Sequence, residues 1–210
     1  MKDSSHPSDN IIIKRVSGEA LKAYIPALAA LRIEVFRDFP YLYDGTLEYE
    51  ENYLRTYSAC PQAVIVLALE GGTNAKIVGA STGIPMQFET DEFKAPLQRA
   101  GYDANKVFYC AESVLRAPYR GLGLGWRFFD EREAHARELG GLDYSCFCAV
   151  ERPEDHPRRP HDYRPLDSLW QKRGYEKQPG LVTQYAWKDL DESASSAKTM
   201  TYWIKKLSWT

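Results

Sequence analysis

The sequence predicts a mixed α/β domain, with strands and helices interleaved irregularly instead of in a doubly wound repeat. Three observations carry this. Helical apolar spacing comes early, followed by a hairpin and then strand–helix–strand–helix–strand. A composition of 44% hydrophobic and 27% charged residues over 210 positions is enough for one sizeable core. A glycine-rich stretch, Tyr119–Trp126 ("YRGLGLGW"), joins an apolar strand to an amphipathic helix.

Taken in order, residues 10–16 (NIIIKRV) read as a first strand. Ser17 can cap a helix whose apolar positions are Ala20, Leu21, Tyr24, Ile25, Leu28, Leu31, Val35 and Phe36. Pro40 and Gly45 then break the pattern, and an acidic helix starts again over 47–57. Residues 63–70 and 76–86 form strands of a hairpin whose loose turn is GGTNA, and a short helix is expected around 91–100. Residues 106–115 (KVFYCAESVL) are the next strand, and 126–140 a helix that Gly140 stops. Strand 144–150 follows, then an irregular segment 151–165 with four prolines, a short helix 166–175 and an alternating last strand 181–190. The domain therefore spans 10–190, between a polar, loose N-terminal segment 1–9 and a tail, 191–210. That tail is a Ser/Ala-rich linker plus aromatic residues, suited to complete the core or to face a second copy in a homodimer.

A net charge of -2 gives no reason to expect nucleic acid or an anionic membrane as partner. No apolar run approaches the ~20 residues of a membrane span, and residues 1–9 lack the apolar stretch of an export signal. With four cysteines and no such signal, reduced thiols in the cytoplasm are expected. Cys146 and Cys148, two apart on a strand, share a face and read as packing residues; with His156 and His161 they match no zinc spacing, so no metal is expected. His135, among charges on its helix, is expected to face solvent.

Strand, glycine turn and helix N-terminus together make an anion site, because the first N–H groups of the helix are unpaired and its dipole favours negative charge. Arg120 adds a positive charge. Neither a P-loop nor a dinucleotide fingerprint fits: no Lys-Ser or Lys-Thr follows, and G-x-G-x-x-G fails at Trp126 or Phe128. The pattern [RQ]-x-x-G-x-[GA] does fit, over Arg120, Gly121, Leu122, Gly123, Leu124 and Gly125. Here the sequence resembles the GCN5-related N-acetyltransferases (GNAT superfamily). ESVLRAPYRGLGLG is similar to that family's strand, loop and Tyr-Arg-Gly, and SLWQKRGY resembles its late LYxKxGF helix.

The resemblance implies the GNAT acyl-CoA N-acyltransferase fold, a central, mostly antiparallel twisted sheet flanked by helices. It implies acetyl-CoA as cosubstrate, its pyrophosphate on residues 120–125 and its pantetheine arm on backbone groups around Val114 and Leu115. It also makes Glu112 the candidate base, since an ammonium must lose a proton before it can attack. The family's usual tyrosine acid is replaced by Trp170, whose indole is not a useful proton source. Tyr163 in the proline-rich segment is the candidate substitute, with Tyr175 or water behind it. The usual asparagine after the fifth strand is also replaced, by ERPEDHPRRP. Cys110, two residues before Glu112, would share its face, but no histidine is evidently placed to activate it.

The family's acceptor side corresponds to residues 37–53, which hold Asp38, Asp44, Glu48, Glu50 and Glu51 among Tyr41, Tyr43, Tyr49 and Tyr53. Carboxylates and aromatic faces suit a small primary amine with an apolar or cationic body; the plainer reading is a solvated helix anchored by its tyrosines. The expected activity is acetyl transfer to that amine by direct attack in a ternary complex. The rivals are a non-catalytic acyl-CoA-binding or regulatory module and a nucleotide-binding protein.

Overall fold

The computed structural model describes residues 10–71 and 75–208. The N-terminal segment 1–9 and the centre of the GGTNA turn lie outside them. Eight strands form one sheet: β1 (Ile11–Ser17), β2 (Val64–Glu70), β3 (Lys76–Pro85), β4 (Val107–Tyr109), β5 (Ser113–Leu115), β6 (Tyr144–Val150), β7 (Glu176–Trp187) and β8 (Ser196–Lys206). Their order is β1-β2-β3-β4-β6-β8-β7, with β5 on β3. All pairings are antiparallel except β4 with β6.

Helices cover both faces. On one side α1 (Ile25–Phe36), α2 (Leu47–Ala59) and α3 (Asp91–Arg99) bury Leu28, Leu31, Leu54, Tyr57, Phe93 and Leu97. On the other, α4 (Leu124–Leu139) buries Leu124, Phe128, Phe129 and Ala136, and α5 (Asp167–Lys172) packs Leu169 and Trp170 beside it. β2 shows how one strand serves both: Ile65 and Leu67 enter the first core, Val64, Val66 and Ala68 the second. Among the described residues no helix is long and apolar enough to cross a membrane.

Several elements differ from the sequence reading, among them the last strand, read as 181–190 and observed as β7 over Glu176–Trp187. Ser17 caps nothing: it is still paired with Val64 in β1, a 3-10 segment runs Gly18–Tyr24, and α1 starts at Ile25 with Pro26 in its first turn. α4 starts two residues early, at Leu124, directly on Gly123. Strand 106–115 is broken in two at Cys110–Glu112. The segment read as linker and aromatic tail contains β8, which inserts between β6 and β7. Tyr202 and Ile204 go to one core and Trp203 to the other, so the strand is apolar on both faces and lacks simple alternation.

Candidate active site

The break in strand 106–115 is a bulge. Ala111 donates its N–H to the Thr82 carbonyl, and Thr82 donates its N–H to the Glu112 carbonyl, so two residues oppose one. The last bond towards β6 is Cys110 N–H to the Cys146 carbonyl at 2.8 Å. Beyond it, β5 pairs with β3 while β6 pairs with β8, and a wedge opens between β5 and the end of β6. The bulge also shifts the side-chain alternation by one. Cys110 therefore points into the α4 core, its Sγ 3.5 Å from Ser145 Oγ, while Glu112 points towards α1 and α2. The expectation that Cys110 and Glu112 share a face is corrected by this register change.

Glu112 sits in a buried polar cluster. Its Oε1 is 2.5 Å from Nη1 of Arg32 on α1, with side-chain exposures of 8% and 10%. Arg32 Nε also donates to Glu50 of α2, and its guanidinium lies 4.4 Å from the centre of the Tyr53 ring. Burial works against the Arg32 charge, but Glu112 and Glu50 outweigh it and hold the guanidinium pKa above its ordinary value. Tyr53 donates to Glu112 Oε2 at 3.2 Å. Tyr53 and Tyr57 share a hydroxyl contact of 2.9 Å, and Tyr57 reaches buried Glu89 at 2.8 Å.

Behind the bulge, buried Arg132 of α4 donates to the carbonyls of Glu112 at 3.0 Å, Thr82 at 3.2 Å and Phe128 at 3.3 Å. At the mouth of the wedge lies the glycine turn. Gly121 (φ 81°) and Gly123 (φ 76°) hold left-handed backbone that disfavours any side chain. Gly125 is different: it is helical, and a Cβ there would meet nothing within 4 Å. Its missing side chain leaves the first turn of α4 bare, where the N–H groups of Leu124 and Gly125 have no helical acceptor ahead of them. That open, donor-rich turn fits a phosphate. Leu122 is half-buried against the α4 core. Arg120 is exposed, pairing with Asp38 at 2.9 Å and donating to the Leu115 carbonyl at 3.2 Å.

The two strand residues differ in what they offer. Val114 is opposite Ala80, and the bonds at Glu112 and Arg116 go to β3, so alternation directs the Val114 peptide to β3 as well. Its side chain is buried in the core. Leu115 turns its carbonyl outward, where Arg120 meets it. The wedge edge therefore belongs to the backbone of Ser113 and Leu115.

Tyr163 packs edge-on against Phe39, centroids 4.7 Å apart, and burial raises its hydroxyl pKa. Arg152 ties the proline-rich segment to the α1–α2 loop by donating to the carbonyls of Pro40 and Tyr41. Tyr41, named from sequence only as an acceptor-side aromatic, has a hydroxyl pKa raised by burial first and then by Glu112 and Cys148. The sequence reading missed Arg32 and Glu89 altogether. Arg32 had a signal: it lies four residues after Leu28, on the buried face of α1.

Other candidates are structural. Trp170 packs on Phe147 and Trp203, and Tyr175 is buried with its hydroxyl 2.7 Å from Ser145 Oγ. His156 packs on Phe39, and His161 is exposed. His135 does not face solvent freely: it is half-buried, with Nε2 2.9 Å from the Gln62 carbonyl. Among the described residues no group of His, Cys, Asp and Glu is placed to hold a metal. The acidic loop splits: Glu50 is buried, Asp44 pairs with Lys188 at 2.8 Å, and Glu48 is exposed.

No family model and no curated protein matches this sequence. Solved structures do match, at low identity and nearly full length. A Salmonella typhimurium protein, assigned as an acetyltransferase and solved with acetyl-CoA, has a TM-score of 0.60 at 12% identity, covering 95% of each chain. A ribosomal-protein-alanine N-acetyltransferase from Brucella melitensis has 0.59 at 13%, covering 93% of this chain and 99% of the other. A GCN5-related N-acetyltransferase from Kribbella flavida has 0.57 at 14%, covering 95% and 99%.

Proposed function

On a chain with the fold of the GCN5-related N-acetyltransferases, we propose that the protein is an N-acetyltransferase acting on a primary amine of a small molecule, in the cytoplasm. The acetyl donor is acetyl-CoA, which supplies an activated thioester. The observation that carries this reading is the alignment of three features: the bulge that splits β4 from β5, Glu112 on that bulge, and the bare α4 turn at the wedge mouth.

In this reading the α4 turn, with Arg120 swung from Asp38, holds the pyrophosphate. The outward backbone of Ser113 and Leu115 holds the pantetheine arm. Glu112 takes a proton from the acceptor ammonium, and the resulting amine attacks directly, both substrates being bound together. Arg32 and Tyr53 fix the two oxygens of Glu112 in position. The acid role falls to Tyr163, a phenol of the proline-rich segment that packs on Phe39 beside the α1–α2 loop. The remaining negative charge of the cluster favours an acceptor with a cationic body.

The test is thiol release from acetyl-CoA across a panel of small amines. Turnover with cationic amines, lost in Glu112→Gln while acetyl-CoA still binds, supports the enzyme. Binding without turnover on any amine would favour a regulatory acyl-CoA module.

A further inference from the structure

The chain Glu112–Tyr53–Tyr57–Glu89 contains a proton count that does not close with both acids ionised. Three oxygen–oxygen contacts link the four groups: 3.2 Å from Glu112 to Tyr53, 2.9 Å between the hydroxyls, and 2.8 Å from Tyr57 to Glu89. Each contact needs one hydrogen, and each tyrosine supplies one. Two hydroxyl protons cannot serve three contacts. With both carboxylates charged, two oxygens would face each other in a buried site with no proton between them, a costly arrangement.

We infer that Glu112 and Glu89 share one additional proton through Tyr53 and Tyr57, and that it rests on Glu89. The two ends are unequal. Glu112 has the Arg32 guanidinium at 2.5 Å, which favours the carboxylate. Glu89 is buried, with only the Thr90 N–H at 3.1 Å and the Tyr57 hydroxyl as direct partners among the described residues. The cation that acts on Glu89, Lys94 of α3, is already paired with Asp91 at 3.2 Å. With the proton on Glu89 Oε1, every donor points one way: Glu89 to Tyr57, Tyr57 to Tyr53, Tyr53 to Glu112. Glu89 Oε2 remains free to accept from Thr90. Burial independently raises the Glu89 carboxyl pKa.

The other titratable groups around Glu89 are Tyr109 of β4, Cys146 and Cys148 of β6 and Tyr185 of β7. All are neutral near pH 7, so none supplies a compensating charge. Glu89 is a positioning residue: by holding the shared proton it leaves Glu112 as the carboxylate a base must be. That consequence rests on the acetyltransferase reading, but the proton count does not.

The experiment is infrared difference spectroscopy of the full chain near neutral pH, comparing wild type with Glu89→Gln, Glu112→Gln and Tyr57→Phe. A protonated-carboxyl band is expected in wild type, absent in Glu89→Gln, shifted in Tyr57→Phe and weakened in Glu112→Gln, whose amide can donate to Tyr53 and supply the third hydrogen. Glu89→Gln is expected to fold, because its amide can donate to Tyr57 and accept from Thr90 as the neutral acid does. It is also expected to lose the wild-type decline in stability with rising pH. A raised carboxyl pKa stabilises fully below the unfolded value of 4.5, and that stability is lost as pH climbs through the folded value. No such band in folded wild type, a band lost in Glu112→Gln but kept in Glu89→Gln, or failure of Glu89→Gln to fold would each overturn the inference. None of these readouts depends on turnover, so they stand apart from the amine assay.

Discussion

Arg132 of α4 donates to the main-chain carbonyl of Glu112 at 3.0 Å, and both lie at the point where the sheet divides. The contact links a helix that opens on the wedge to the residue proposed as base. Arg132 is 1% exposed, and its side-chain donors go to main-chain carbonyls, two of them at the bulge. Replacing it by Met would strand those carbonyls and let the bulge relax. A loss of about 3 kcal/mol is expected in denaturant unfolding, with Arg132→Lys losing less. Unchanged stability in Arg132→Met would show that the bulge holds itself.

Arg32→Met is expected to be costlier. It would leave the acids Glu50 and Glu112 buried beside no cation, with side-chain exposures of 1% and 8%. Breaking one side of a buried ion pair costs roughly 3–5 kcal/mol. The double variant Arg32→Met with Glu50→Gln should recover part of that loss, measured as a thermodynamic cycle.

Arg120 and Asp38 form an exposed pair, worth about 0–1 kcal/mol to the fold, with side-chain exposures of 49% and 59%. Arg120→Gln is therefore expected to leave the melting temperature unchanged and weaken acetyl-CoA binding about tenfold, by loss of a charge-assisted phosphate contact. Equal affinity in the variant would remove Arg120 from the site.

Acid stability has a separate source at the β7–β8 turn. Glu192 accepts from Lys198 and Ser196, the lysine bond being the larger influence, and its carboxyl is lowered from 4.5 to about 2. A depressed acid stabilises above its unfolded value and loses that contribution as pH falls. Wild type should thus lose stability from pH 4.5 down to about 2. Glu192→Gln should flatten that window in thermal scans, and an unaltered slope would assign the acid loss elsewhere.

Much of this site was legible in the sequence, for physical reasons that differ by residue. Gly121 and Gly123 stood out because left-handed backbone selects glycine, and Arg120 because it precedes them. α2 and α4 were legible from helical spacing. Glu112 was named by resemblance, but its surroundings were hidden, since a one-residue bulge reverses which side every later residue faces. That reversal separated Cys110 from Glu112 and stopped the strand early. β8 was obscured because both its faces are buried, which removes alternation. The Tyr53–Tyr57 spacing of four placed both hydroxyls on one helix face, yet Glu89 reaches them only through the tertiary fold.

The central claim is that the bare first turn of α4 holds the cosubstrate. The most direct measurement is titration calorimetry of acetyl-CoA against wild type and Gly125→Glu. Gly125 is the right position because its backbone is helical and its side-chain space is empty, so the fold tolerates a side chain that glycines 121 and 123 would not. Micromolar binding to wild type, abolished in a Gly125→Glu variant with an unchanged melting temperature, is the predicted result. No binding to folded wild type, or equal binding to both, would contradict the account.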